Sequence, residues 1–406
     1  MKNLILLSVF ISTIFMFSCD KEAKFLYENN NVAIPWYQKY PDTVKGVSMR
    51  PVILDDKVVF SAIDLNTQKE IFAMNKKTGE TMWRWKDYHH PTDHMPSGDH
   101  KNIVYKNLFV FNINGYIYAV DHNTGKTVWC NTNYAYGSSY ELCQLGSDIY
   151  YPGSKTKAHD KYDVIKLNMD SQKSEVVASF DGNIWRNPTQ PIVRVENGKD
   201  TIMYIGARKK QNDQHCLIAF NITTRKTVYE VELQPSEIGD TKIDSSTPVF
   251  YNDKIILVSS ITLALDAKTG KTLWHINMND KDNISVGHGY NYIEKNIMYV
   301  GQQHFINVID LDTGLRLTPF SDQIGEFSLL DDLIIQYNPR KYNEKVNIRS
   351  IINVRKQDGT FLFELNQTDL KDSEIPAFFI GSSEVDKKER VLYISGVNSA
   401  MRVNLK

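Results

Sequence analysis

Four histidines lie close together in residues 84–101, and imidazole is a common ligand of zinc and copper. They are His89, His90, His94 and His100, accompanied by Asp93 and Asp99. Pro91 and Pro96 favour an extended backbone in this segment, which does not gather the side chains on one face. We therefore interpret the segment as a solvated loop, keep the histidines as weak metal candidates and predict no resident metal or cofactor.

The charge balance and the motif content limit the chemistry that can be expected of this chain. Its 406 residues hold 47 Lys and Arg against 48 Asp and Glu, a net charge of −1. Such a chain lacks the basic footprint that nucleic acid requires, and we exclude that partner. The sequence has no nucleophile elbow, phosphate loop or HExxH motif, so we predict a protein that is not an enzyme.

The N-terminal segment has the pattern of an exported, lipidated protein. A mostly apolar run at residues 4–17 follows the first lysine and is too short for a stable transmembrane helix. Residues 16–19 resemble a lipobox, whose cysteine becomes the lipidated first residue, and a plain signal peptide is the alternative. We predict a lipoprotein signal peptide at residues 1–18, lipidation at Cys19 and a flexible tether at residues 19–31.

Three further cysteines are an odd number in a chain expected to be exported. Cys130 and Cys143 fall on successive predicted strands, which leaves a disulfide between them open. The sequence does not determine whether their Cα atoms come within the 7 Å that a disulfide needs. A packed thiol is the matching expectation for Cys216.

An eleven-residue pattern, AxDxxTGxxxW with Asn allowed for Asp, occurs three times. In each copy an apolar run ends at the acidic or amide residue, a tight Thr-Gly turn follows, and a second run ends on tryptophan. This order predicts a β-hairpin. The recurring residues are Asn75, Gly79 and Trp83, then Asp121, Gly125 and Trp129, then Asp266, Gly270 and Trp274.

The position of the turn glycine recurs at nearly constant spacing. It is occupied by Gly79, Gly125, Gln172, Arg225, Gly270, Gly314 and Gly359, in steps of 46, 47, 53, 45, 44 and 45 residues. An earlier hairpin precedes the turn, as in residues 51–60 and 248–258, which makes four strands per repeat. Four antiparallel strands in each repeat of this length, without helices, are typical of a β-propeller blade.

The two ends of the chain supply an eighth blade. Residues 375–381 and 390–406 offer three strands, and residues 32–39 carry Trp36 after an apolar run, as an outer strand should. We predict an all-β fold for residues 32–406, an eight-bladed β-propeller of four-stranded antiparallel blades. Its last blade is closed by the N-terminal strand, which removes open sheet edges; seven blades with a frayed end are the alternative.

Propeller geometry gives each motif residue a structural role. The gap between blades widens outward, so the outer strand needs a large filler such as tryptophan. The turn glycine supplies positive φ and space for a neighbouring indole, while Asp or Asn bonds the N–H groups of the turn. Longer loops collect on the face opposite these turns, here named the loop face, and we expect binding there.

Polar residues near the starts of first strands define a candidate ligand site at the mouth of the central channel. They are Arg50, Glu141, Arg186, Ser246 and His288. Converging polar groups at a funnel mouth are a frequent arrangement for small ligands, although such channels also hold water and polar side chains without binding anything.

At AxDxxTGxxxW the chain resembles the PQQ-like propeller repeat. That family includes eight-bladed quinoprotein dehydrogenases and the cofactor-free outer-membrane assembly lipoprotein BamB. The dehydrogenases of the family have a vicinal Cys-Cys ring and a Ca²⁺ held by Glu, Asn and Asp. This chain has no Cys-Cys pair, so the resemblance implies a scaffold rather than a quinone-dependent dehydrogenase.

Three expectations about function follow. The first is a lipid-anchored scaffold that binds another envelope protein through its loop face, in outer-membrane assembly as in BamB. The second is a carbohydrate or small-ligand receptor at the cell surface, because residues 20–22 resemble surface-export signals of some Bacteroidetes lipoproteins. Both predict an outer-membrane lipoprotein on the periplasmic or cell-surface side, and a residual quinoprotein enzyme is the third.

Overall fold

The computed structural model describes most of the chain after residue 24. The described residues are 25–40, 44–47, 50–64, 69–89, 102–113, 115–134, 142–155, 160–186, 189–234, 248–258, 261–277, 291–301, 305–317, 320–321, 323–341, 350–371, 373, 375, 380–396 and 399–406. No helix in these ranges is long and apolar enough to span a membrane.

The strands form eight antiparallel sheets, the blades of the predicted propeller. Blade 1 contains β3 (Val44–Val47), β4 (Val52–Ile53), β5 (Lys57–Asp64), β6 (Lys69–Asn75) and β7 (Thr81–Trp85). Blade 2 contains β8 (Ile103–Tyr105), β9 (Leu108–Ile113), β10 (Tyr116–Asp121) and β11 (Thr127–Asn131). Blade 3 contains β12 (Cys143–Leu145), β13 (Asp148–Gly153), β14 (Lys161–Asn168) and β15 (Ser174–Asp181). Blade 4 contains β16 (Trp185–Arg186), β17 (Ile192–Glu196), β18 (Asp200–Lys209), β19 (His215–Asn221) and β20 (Lys226–Glu232).

The second half of the ring repeats this order. Blade 5 contains β21 (Val249–Tyr251), β22 (Lys254–Val258), β23 (Ile261–Asp266) and β24 (Thr272–Asn277). Blade 6 contains β25 (Asn291–Glu294), β26 (Ile297–Gly301), β27 (Phe305–Asp310) and β28 (Phe320–Ser321). Blade 7 contains β29 (Gln323–Leu330), β30 (Leu333–Lys341), β31 (Ser350–Lys356) and β32 (Phe361–Asn366), followed by a 3-10 helix (Gln367–Leu370). Blade 8 contains β33 (Ile380–Asp386), β34 (Val391–Gly396), β35 (Ser399–Leu405), β2 (Val32–Lys39) and β1 (Tyr27–Glu28).

The core is divided among the gaps between blades. Successive side chains of a strand point to opposite faces of its sheet, so a central strand contributes to two neighbouring gaps. In β10, for example, Ala119 packs between blades 2 and 3 while Tyr118 packs between blades 1 and 2. The described residues form eight apolar clusters, one at each junction of consecutive blades. This arrangement accounts for a closed ring.

The N-terminal strand closes the ring as the sequence predicts. Strand β2 pairs antiparallel with β35, from Val32 opposite Leu405 to Lys39 opposite Ser399. The eight-bladed prediction is therefore confirmed, and the seven-bladed alternative is wrong. One further strand, β1, adds to the outer side of β2 through Tyr27, so that the end of the predicted tether belongs to blade 8.

Candidate functional site

The acidic residues of the repeat hold their own turns together. One carboxylate oxygen of Asp121 accepts the backbone N–H groups of residues 123 and 124, each at 2.9 Å. Asp266 accepts the N–H and the hydroxyl of Thr269 at 2.8 and 2.7 Å. The hydroxyl bond is the main reason why the pKa of Asp266 lies below its usual range. These side chains are engaged within their turns.

The glycine and the tryptophan of consecutive repeats form one contact. At Gly125, with φ of +70°, a Cβ atom would lie 2.7 Å from the indole of Trp83 in the preceding blade. The Trp83 N–H also donates to the carbonyl of His122, at 2.9 Å. Trp36 of β2 packs on Gly79 in the same way and donates to Lys76 at 3.0 Å.

The motif therefore seals the outer junctions of the ring. Because these indoles, glycines and carboxylates are used in packing and turns, they do not form a cofactor site. Trp274 on Gly314 continues the pattern between blades 5 and 6.

Two turns adopt the glycine conformation without glycine. Gln172 and Arg225 both have φ of +59°, a region that costs side-chain-bearing residues free energy. Spacing alone predicts both turns, and the backbone confirms them.

The junction between blades 3 and 4 departs from the tryptophan-on-glycine contact. Arg225 stands at the glycine position and donates to the carbonyls of Val176 and Val177, at 2.8 and 3.1 Å. Its guanidinium also pairs with Glu175, at 3.2 Å. A solvated ion pair thus takes the place of a buried indole.

A groove of about 190 Å³ opens at this junction. It is lined by Ala178, Ser179, Phe180, Asp181, Trp185, Ile218, Phe220, Thr227 and Glu230. The aromatic side chains of Phe180 and Trp185 belong to the apolar cluster between the two blades and are each 8% exposed. These residues were not among the candidates from sequence; the signal that could have found them is the absence of glycine and tryptophan from the third and fourth repeats.

Arg50 reaches across the central channel. It precedes the first strand of blade 1, and its Nη1 donates to the hydroxyl of Tyr292 in blade 6. The same atom lies 3.9 Å from a carboxylate oxygen of Glu384 in blade 8. The Tyr292 hydroxyl is also 3.3 Å from that of Ser328 in blade 7, so one arginine connects the inner strands of four blades.

The other predicted channel-mouth residues are not brought together by the described structure. Glu141, Ser246 and His288 lie outside the described residues. Arg186 is described only in its backbone, in β16 opposite Arg208 of β18. Ligand binding in the channel stays a prediction.

The histidine segment is described only at its start. The backbone N–H of His89 donates to the hydroxyl of Tyr118, at 3.0 Å. His90, His94 and His100 lie outside the described residues. In the ranges that are described, no group of three or more His, Cys, Asp or Glu side chains could hold a metal ion.

The cysteines of the propeller lie in separate environments. Cys130 packs at the junction of blades 1 and 2, whereas Cys143 packs against the clusters on both sides of blade 4. No disulfide joins them. Cys216 is buried between blades 3 and 4, and this burial raises the pKa of its thiol to about 11. Cys19 lies outside the described residues.

Fold and site together define a class, the eight-bladed β-propeller built from PQQ-like repeats. The model of the family described as "Outer membrane protein assembly factor BamB" matches residues 16–148. The chain belongs to the PQQ-like β-propeller family. No curated protein matches it.

Solved structures share the fold at low sequence identity. The designed Ika8 protein is 10% identical with a TM-score of 0.56, over 91% of this chain and all of that one. The C-terminal WD40 domain of Sif2 is 9% identical with a TM-score of 0.56, over 92% of this chain and 98% of that one. BamB from Moraxella catarrhalis is 13% identical with a TM-score of 0.45, over 72% of this chain and 82% of that one. At such identities the likeness concerns the fold alone.

Proposed function

We propose that this chain is a non-catalytic, lipid-anchored scaffold that binds another protein of the cell envelope during outer-membrane assembly. The observation that carries the proposal is the use of the repeat residues. The Asp121 carboxylate holds its own turn, and Trp83 with Gly125 seals a junction. A rigid ring built in this way presents loops and rims as its functional surface. The description of the matching family model supports the same direction.

The proposed anchor places the ring close to a membrane. Tyr27 is already paired with Ile34 in blade 8, eight residues after Cys19. An extended segment of that length spans at most about 28 Å. We place the protein on the periplasmic or cell-surface side of the outer membrane, with blade 8 nearest the lipid.

Metabolic labelling with palmitate tests the anchor. Label should enter the wild-type protein and a Cys130→Ser variant, and should be lost from Cys19→Ser. Equal labelling of the Cys19→Ser protein would exclude lipidation at this position.

Capture from detergent-solubilised envelopes tests the scaffold. A specific envelope protein should be recovered with wild type and lost when exposed Lys210 and Gln211 on the loop face are both changed to glutamate. Lys268 and Lys271, in a turn on the opposite face, receive the same change as a matched control. Recovery of nothing above a tag-only control would contradict the proposal.

The receptor alternative makes a separate prediction. Protease added to intact cells should cut the protein if it faces outward, and full protection would restrict it to the periplasmic side.

A further inference from the structure

The groove between blades 3 and 4 adjoins an open sheet edge. Strand β15 is the outermost strand of blade 3, and within the described chain no further strand pairs with it. It has eight residues, against five in each of β7 and β11. Between Glu175 and Asp181 this edge has no charged residue. Long edges without charges are templates for pairing with an added strand.

The molecule contains one example of such pairing. Strand β2, also eight residues long, is the outer strand of blade 8, and β1 adds to it from outside. The N–H of Leu26 donates to the carbonyl of Ile34 at 2.8 Å. An outer strand of this length therefore accepts a fifth strand without distortion of its blade.

The groove supplies a pocket beside the open edge. Phe220 occupies the register position that Val120 has in blade 2, where Val120 lies in one cluster with Trp83. Because blade 3 has no tryptophan at this place, Phe180 and Phe220 line open space instead of an indole. An apolar side chain of a partner would fill that space.

One acidic side chain at the groove remains available for a cation. Glu230 is 2.8 Å from Lys209, which also binds Glu232. Asp181 accepts the backbone N–H of Asn183 at 2.8 Å and, in the described part of the chain, makes no ion pair. A basic side chain near the apolar anchor would be favoured there.

We propose that β15 and its groove bind an extended peptide segment of a partner protein, which adds as a fifth strand to blade 3. Main-chain hydrogen bonds provide affinity, an apolar side chain enters the groove, and a neighbouring lysine or arginine pairs with Asp181. This inference rests on the proposed scaffold function and names the surface and the partner chemistry.

A fluorescein-labelled heptapeptide, Thr-Val-Lys-Phe-Lys-Val-Thr, tests the proposal by fluorescence anisotropy with the intact protein. We expect saturable binding that weakens at least about tenfold when alternate peptide amides are N-methylated, because added strands depend on main-chain donors. Replacement of the central phenylalanine by serine should weaken binding similarly. Binding indifferent to both changes would overturn the proposal.

A matched pair of variants locates the site. Thr227→Trp places an indole in the groove, and Thr81→Trp places one at the same register position in blade 1, where both threonines are exposed. Thr227→Trp should weaken peptide binding at least about tenfold, whereas Thr81→Trp should leave it unchanged. Equal effects would contradict a site at the groove, and circular dichroism of both proteins verifies folding.

Envelope capture separates the two proposals. If the Thr227→Trp protein still recovers its envelope partner, the scaffold function stands and the groove is not its site. If the peptide binds as expected while neither protein recovers a partner, the groove stands and the scaffold function fails.

Discussion

Two junctions of the same ring are sealed by different chemistry. Between blades 1 and 2, Trp83 covers Gly125 and donates its N–H to the neighbouring blade. Between blades 3 and 4, Arg225 replaces the glycine and bonds main-chain carbonyls beside an open groove. The difference teaches that residues which match the repeat serve the ring, while departures from it mark surface with another use.

The largest expected effect comes from removing an indole. Trp83→Ala should lower the free energy of unfolding by about 3–5 kcal/mol, because a buried aromatic side chain is lost and a cavity remains. Urea denaturation measures this effect. Met82→Ala is the matched control, since Met82 is next in the strand and 43% exposed, and should change stability by less than about 0.5 kcal/mol. Equal losses would show that the indole does not seal the junction.

Changes at the glycine position should differ in sign between the two regions. Gly125→Ala should destabilise by about 2 kcal/mol, because a Cβ atom collides with Trp83 at positive φ. Gln172→Gly should stabilise by up to about 1 kcal/mol, because it relieves a left-handed conformation. Thermal unfolding of both proteins checks the signs, and destabilisation by Gln172→Gly would contradict this reading of the turn.

Junction 3–4 should open more readily than a junction sealed by tryptophan. Cys216 reports on it because its thiol is buried there and its raised pKa keeps it protonated at neutral pH. In a protein lacking Cys130 and Cys143, iodoacetamide should modify Cys216 about tenfold faster than a cysteine introduced as Ala119→Cys, with Cys216 replaced by serine. Ala119 lies in the cluster of Trp129. Slower modification of Cys216 would reverse the comparison.

The smallest effect concerns pH. The lowered pKa of Asp266 means that its turn adds stability above the unfolded pKa of about 4, and loses it as pH falls through the folded value. The corresponding turns of blades 3 and 4 begin with Asn168 and Asn221, which do not titrate. Asp266→Asn should therefore flatten the acid dependence of urea midpoints slightly, whereas Asn221→Ala should leave its slope unchanged. A slope unaffected by Asp266→Asn would contradict the assignment.

Much of the fold could be predicted because the repeat is local. The Thr-Gly turns have a spacing that persists through Gln172 and Arg225, where the letters of the motif are lost. The eighth blade followed from counting strands at both ends. The strand at Tyr27 could not be read, since two residues in a polar segment have no detectable periodicity.

The candidate sites were less predictable because they depend on distant contacts. Arg50 was placed at the channel correctly, but its bond to Tyr292 joins residues 242 positions apart, which no local pattern reveals. The groove at Phe180 results from what two repeats lack, and its shape requires the packing of neighbouring blades.

Hydrogen–deuterium exchange of the intact protein, with and without the valine-phenylalanine-lysine heptapeptide, tests the central claim most directly. The account predicts that added protection is confined to β15 and the facing strand β20, while the Thr-Gly turns and the first strands at the channel keep their exchange rates. Protection gained at the turns or at the channel strands, with none at β15, would contradict it.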